Sequence, residues 1–299
     1  METSLLFKTL IILSAQLGIV LVMCFYTLKQ ARLAYENNTT LFGTSFRGSV
    51  NMKNKLNLIP YIQIKETFPK PMYKTVDKDT NLHEQANNQD EVIKLLKDGY
   101  LHQVEGSWFI VGLMWFWFFT LFATATFTSF LETNLWVGIT LFTLCSLSFG
   151  PILAWIMLEM DENDGFTAMK IVLVVTILTG FIGYGDYISF ADSSLFAILL
   201  FVSLIALLLF NFARFFIEIS RATTRAAAIF GSFLFSLYLL YDFNYIKKQS
   251  GLSSSNDWET ALEMAFILYL DIINLLLEIL DAMSNWFKIN NYNNVSNSL

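Results

Sequence analysis

Apolar side chains dominate seven stretches of the chain, at roughly 5–28, 107–130, 135–157, 168–188, 193–213, 223–243 and 260–282, and polar or turn-forming residues separate them. Each stretch is close to the length of about 20 apolar residues that a helix needs to cross the hydrocarbon core of a bilayer. Inside that core every backbone group must find its partner within the protein, so the stretches predict helices and no sheet. The fold class expected is all-α: a polytopic membrane protein built as a bundle of seven transmembrane helices. The first stretch has only Lys8 as a charge after Glu2, and it leaves through Met23, Cys24, Phe25 and Tyr26 with no small-residue cleavage site. It therefore reads as a retained helix rather than a signal peptide, and it lacks the Arg and Ser of a mitochondrial transit peptide.

The polar positions divide the chain as sharply as the apolar ones. Residues 1–28 form the first transmembrane helix, 29–106 a polar insertion outside the membrane, 107–283 a six-helix membrane bundle and 284–299 a polar tail. The insertion is too long for a bundle connection and holds Pro60, Pro69 and Pro71. Its end, Asp90 to His102, places acidic residues before Val92, Ile93, Leu95 and Leu96, a pattern that predicts an amphipathic helix at the interface. The Asn- and Ser-rich tail from Asn285 is expected to be disordered unless a partner holds it. Lys and Arg beside the helix ends favour the side holding the insertion, which places the N-terminus away from the cytosol or matrix.

Composition narrows the function. Of 299 residues, 55% are hydrophobic and 15% charged, where soluble domains carry roughly 25% charged residues. Nearly half of those charges fall between Lys29 and Glu105, so the apolar stretches are poorer still. An ordinary soluble enzyme is thereby excluded. A net charge of −6 with no basic stripe gives no purchase on nucleic acid. Cys24 and Cys145 both lie in apolar runs, where cysteine acts as a small buried hydrophobe. No nucleophile constellation, phosphate loop or HExxH motif is present, so the chain is not expected to be an enzyme.

Candidate chemistry then rests on ionisable side chains inside the spans, each of which costs several kcal/mol unless it faces protein or water. Asp271 sits near the centre of the last stretch and Asp242 toward the end of the sixth. Those helices run antiparallel across a loop of about 16 residues, which makes them candidate neighbours. Two carboxylates meeting there cannot both ionise cheaply, so they should share one proton and titrate as a pair. Ionised, they offer hard oxygen ligands suited to calcium or to a proton relay. Calcium, at Asp242 and Asp271, is the metal ion these residues suggest, and no organic cofactor is implied. Glu278, seven residues after Asp271, shares its helix face and extends a candidate cation path; an alternative is a solvated face at the helix exit.

Several stretches, in order, resemble the Bax inhibitor family, also called the transmembrane Bax-inhibitor-motif (TMBIM) family. Leu147-Ser148-Phe149-Gly150-Pro151-Ile152-Leu153-Ala154 resembles its third-helix Gly-Pro segment. Asp186 through Phe190, with Leu195-Phe196-Ala197, is similar to its fourth-to-fifth junction. Ala226-Ala227-Ala228 with Leu237-Tyr238-Leu239-Leu240-Tyr241-Asp242 resembles its sixth helix, and Leu268 to Leu277 its final motif. The resemblance covers 107–283 well and 1–28 loosely. It implies seven helices, six of them packed around the one bearing Asp271, and it implies that Asp242 and Asp271 form the di-aspartyl, pH-sensing gate of a cation leak. Three features depart from the family pattern. Phe243-Asn244 stands where Thr-Gln is usual, no arginine lies in the second helix, and the insertion is foreign.

Two functions follow. One is a calcium or proton leak channel or exchanger gated by Asp242 and Asp271. The other is a non-catalytic accessory subunit of a larger membrane complex, for example in the mitochondrial inner membrane, with 29–106 and the tail as docking arms. The partners implied are the lipid bilayer and, on the second reading, other subunits. The localisation implied is integral to an intracellular membrane, either the endoplasmic reticulum or the mitochondrial inner membrane.

Overall fold

The computed structural model describes residues 4–50, 56–61, 73–77, 82–85, 108–129, 134–160, 162–185, 187, 189–214, 216–217, 219–252 and 256–296. The amphipathic helix expected over Asp90–His102 lies outside them. Among the described residues there are seven helices long and apolar enough to cross a membrane: α1 (Leu5–Glu36), α2 (Trp108–Ser129), α3 (Leu135–Met160), α4 (Glu162–Tyr184), α5 (Ser194–Ala213), α6 (Arg221–Gln249) and α7 (Trp258–Ser296). The chain is a seven-helix membrane bundle.

Short polar side chains start these helices by taking up backbone N–H groups that the first turn leaves without partners. Ser193 accepts from the Phe196 N–H, Ser220 from Thr223 N–H and Asp257 from Thr260 N–H. α6 ends on Lys247 and Lys248, cations at the negative end of the helix dipole, just before Gly251. Several helices outrun the apolar runs that announced them. α1 continues from residue 28 to Glu36, α6 from 243 to Gln249, and α7 from 282 to Ser296. The tail expected to be disordered is thus helical as far as Ser296, because extending an existing helix fixes one residue per hydrogen bond and avoids a new nucleus.

The apolar spans differ in how they are covered. Of the most apolar window in each, 72% is buried in α3 and 67% in α7, against 11% in α5. Leu195, Ile198, Leu199, Phe201 and Val202 on α5 are exposed, and lipid is the solvent that suits them. The expectation of one enclosed helix is therefore extended: α3 is enclosed as fully as α7.

The chain divides into two compact units. One comprises residues 20–119 and 147–162. In it α1 and α3 approach so closely at Gly150 that a Cβ there would lie 2.4 Å from Met23 Cβ, and Cys24 Sγ lies 3.7 Å from Met157 Sδ. This unit also holds the described part of the insertion, which forms two antiparallel hairpins. β1 (Ser45–Val50) pairs with β2 (Leu56–Tyr61), Ser45 opposite Tyr61, and β3 (Tyr73–Asp77) pairs with β4 (Leu82–Gln85). Phe46 of β1 is buried with its ring edge-on to Trp155 of α3, and Phe42 stacks on Phe109 with centroids 4.1 Å apart.

The other unit comprises residues 1–19, 120–146 and 163–299. Here Gln16 of α1 donates to Thr143 Oγ1 of α3 at 3.1 Å, and a Cβ on Gly138 would meet Leu262 Cδ2 of α7 at 2.5 Å. Phe142 packs edge-on against Phe266 and Tyr269. At the start of the chain Lys8 is buried; its ammonium donates to the Asn256 carbonyl at 2.8 Å and sits over the Trp258 ring.

Candidate functional site

α6 packs extensively along α7, and the faces that meet are apolar except at a few positions. Leu239 and Ile246 of α6 are buried, as are Leu268, Ile272 and Leu275 of α7. Asp242 and Asp271 interrupt these faces. Helical spacing puts Asp242 one turn beyond Tyr238, and Asp271 one turn beyond Ile267. Asp271 is buried, and the Oδ2 atom of each aspartate is enclosed with no hydrogen-bond donor paired to it among the described residues.

The structure brings the two aspartates together: their side chains are within hydrogen-bonding reach of each other. An ionised carboxylate only accepts hydrogen bonds, so two of them can bond directly only with a proton between them. Two bare negative charges at that separation, away from water, would repel strongly. One shared proton therefore favours the pair over two bare charges. Tyr238 lies within electrostatic range of both carboxyl groups.

Glu278 is not part of that pair. It lies two turns further along α7, about 10 Å away along the axis. Its carboxyl group rests against Gly231 of α6, where a Cβ would come within 2.7 Å of Oε2. Asn211 at the end of α5, Asp281 and Arg214 lie close by. Arg214 donates to Asp281 at 3.1 Å and to Asn211 Oδ1 at 3.2 Å. Glu278 therefore belongs to a separate polar group joining the end of α5 to the middle of α7.

The two carboxylates alone do not complete a calcium site. Calcium takes six to eight oxygens, two carboxylates supply at most four, and among the described residues no cluster of three or more His, Cys, Asp and Glu could hold a metal. A cation in transit, carrying part of its water, demands less.

Residues 93–287 match the family described as inhibitor of apoptosis-promoting Bax1. The chain belongs to the Bax inhibitor family. A search of curated proteins gives no match. The matched segment takes in helices α2–α6, α7 as far as residue 287 and both aspartates of the dyad, while α1 and the two hairpins precede it.

Sequence reasoning missed the residues that frame the dyad in this Bax inhibitor family member. Tyr238 could have been found from its four-residue spacing to Asp242, which puts both on one helix face. Asn244 was noted only as a departure from the family's Thr-Gln, yet it is fully buried, donating from Nδ2 to the Gly183 carbonyl at 3.0 Å and accepting the Ala191 N–H on Oδ1 at 2.9 Å. No sequence pattern announces that clamp, because its partners are backbone groups 53 and 61 residues away. Beyond it, Lys248 pairs with Asp192, and Lys247 lies over the Tyr184 ring at 4.9 Å. Asp192 is outside the spans, and its hydrogen bond with Lys248 holds its carboxyl below the usual carboxylate range.

Proposed function

We propose that the chain is a cation leak of the intracellular membrane in which Asp242 and Asp271 form a proton-operated gate. The observation that supports this most directly is the contact between the two carboxyl groups on neighbouring buried helix faces. With the shared proton in place, the faces of α6 and α7 close on a neutral hydrogen bond. Its loss leaves two like charges in a low-dielectric setting, and separating them lets water and a cation enter. Calcium is the cargo that suits hard oxygen ligands; a proton moving through the same pair is the alternative cargo. Flux should then rise with pH. The test is flux into liposomes holding the purified full chain, measured from mildly acid to mildly alkaline pH. Asp271→Asn keeps the side-chain shape and a hydrogen bond but removes one titrating group, so the pH dependence should flatten. Identical curves for wild type and variant, or no flux from either, would sink the reading.

A second reading, an accessory subunit of a larger membrane assembly, is favoured by the length of α7. Its 39 residues span about 58 Å, well beyond a hydrocarbon core of about 30 Å, so the helix projects an arm past its membrane span. Stoichiometric partners retained on purification in mild detergent would support it.

A further inference from the structure

We propose that Asn244 is a positioning residue for the aspartate pair, fixing the rotation of α6 so that Asp242 meets Asp271. The proposal rests on the gate reading for its functional meaning, and on geometry for the rest. At 100° per residue, Asn244 lies 200° around α6 from Asp242, so the two side chains leave nearly opposite sides of the helix. On one side Asp242 reaches α7. On the other, Asn244 grips two backbone groups, the Gly183 carbonyl at the end of α4 and the Ala191 N–H in the short helical turn Phe190–Asp192.

The grip is close because α4 and α6 nearly touch there. A Cβ on Gly183 would lie 2.5 Å from the Leu240 carbonyl oxygen and 2.9 Å from Phe243 Cβ. An amide is suited to this place, since it offers a donor and an acceptor at once and satisfies two backbone groups whose burial would otherwise be costly.

Rotation is the motion that such a grip resists, and the dyad is sensitive to it. A carboxyl group stands about 5–6 Å from the axis of its helix, so a turn of 20° moves it about 2 Å. Hydrogen bonds between oxygens tolerate only a few tenths of an ångström around about 2.7 Å. Without the clamp, α6 can turn far enough to part the carboxyl groups while remaining a helix. Among the described residues, the charged and titratable groups around this segment include Asp271 from α7, Tyr238, Tyr241 and Tyr245 from α6 itself, and Asp192, Lys247, Lys248 and Tyr184 beyond the clamp.

Infrared difference spectroscopy of the full chain in detergent tests this without relying on transport. The carboxyl stretch of the hydrogen-bonded pair is assigned by its loss in Asp271→Asn. In Asn244→Ala that band should shift toward the position of an isolated protonated carboxyl, and resting flux in liposomes should rise. Should Asn244→Ala fail to fold, Asn244→Ser keeps one hydroxyl in the site and should shift the band in the same direction. Lys248→Ala, which breaks only the outer ion pair, should leave the band in place. The proposal is overturned if the Asn244 variant melts earlier yet keeps the wild-type band, which would mark a purely structural role, or if Lys248→Ala shifts the band as far. Absence of flux from the wild type would count against the leak alone, since the band still reports on the pair.

Discussion

Substituting alanine for glycine should have opposite effects on stability at different helical positions, and the structure fixes the sign at each. At Gly150 the new Cβ would lie 2.4 Å from Met23 Cβ, 2.8 Å from the Val20 carbonyl oxygen and 3.1 Å from the Cys24 nitrogen. Carbon atoms settle at about 3.5–4.0 Å, so α1 must retreat by about 1 Å. None of the three obstructing atoms can swing aside, because each belongs to the backbone or to the root of a side chain. Overpacking of this kind costs about 1–3 kcal/mol, and the better helix propensity of alanine returns no more than about 1 kcal/mol. Gly150→Ala should therefore destabilise by about 1–2 kcal/mol. Gly18 and Gly112 have nothing within 4 Å of the same added atom, so Gly18→Ala and Gly112→Ala keep only the propensity gain and should stabilise by about 0.5–1 kcal/mol. Thermal melts of the purified proteins in one detergent read all three. A Gly150→Ala protein melting at or above the wild type, or Gly18→Ala and Gly112→Ala falling as far as Gly150→Ala, would refute the close approach of α1 and α3.

Three further outcomes are expected. Asp192 titrates below the usual carboxylate range because of Lys248, so its stabilising contribution is complete at neutral pH and fades as pH falls through that range and below; Lys248→Ala should return the Asp192 carboxyl to about 3.9 in a carbon-13 titration. Arg214→Gln removes an ion pair whose side chains are 36% and 30% exposed, so the melting temperature should fall by the equivalent of only about 0.2–1 kcal/mol, and less at high salt. Phe46→Ala empties the contact between β1 and Trp155, which should free the first hairpin and speed its cleavage in limited proteolysis.

The membrane helices were legible because apolar length is a property of the chain itself. All seven runs became helices, and Gly138, Gly150, Gly180 and Gly231 each sit where another residue comes within van der Waals contact of the absent side chain. Asp242 and Asp271 could be paired in advance because a charge in an apolar run needs a partner, and adjacent antiparallel helices supply one. Helix ends were harder to place, since α7 runs on through Asn and Ser that composition assigns to a tail. The hairpins of the insertion escaped notice because Ser45–Val50 and Leu56–Tyr61 are short and hold Gly48 and Pro60, residues that argue against strands. Helical spacing puts Glu278 on the face of Asp271 but leaves its neighbours open, and the structure sets its carboxyl near Asn211, Asp281 and Arg214.

The contact between Lys8 and Asn256 has a consequence for how the protein is made. The two residues are 248 positions apart, and at about 5–20 residues per second a ribosome needs roughly 12–50 s to add the acceptor after the lysine has appeared. Gln16 gains its partner Thr143 much earlier, so α1 is fastened first near its middle and last at its beginning. A chain stalled before Asn256 carries an ammonium group at the end of an apolar helix without the carbonyl that receives it in the finished protein.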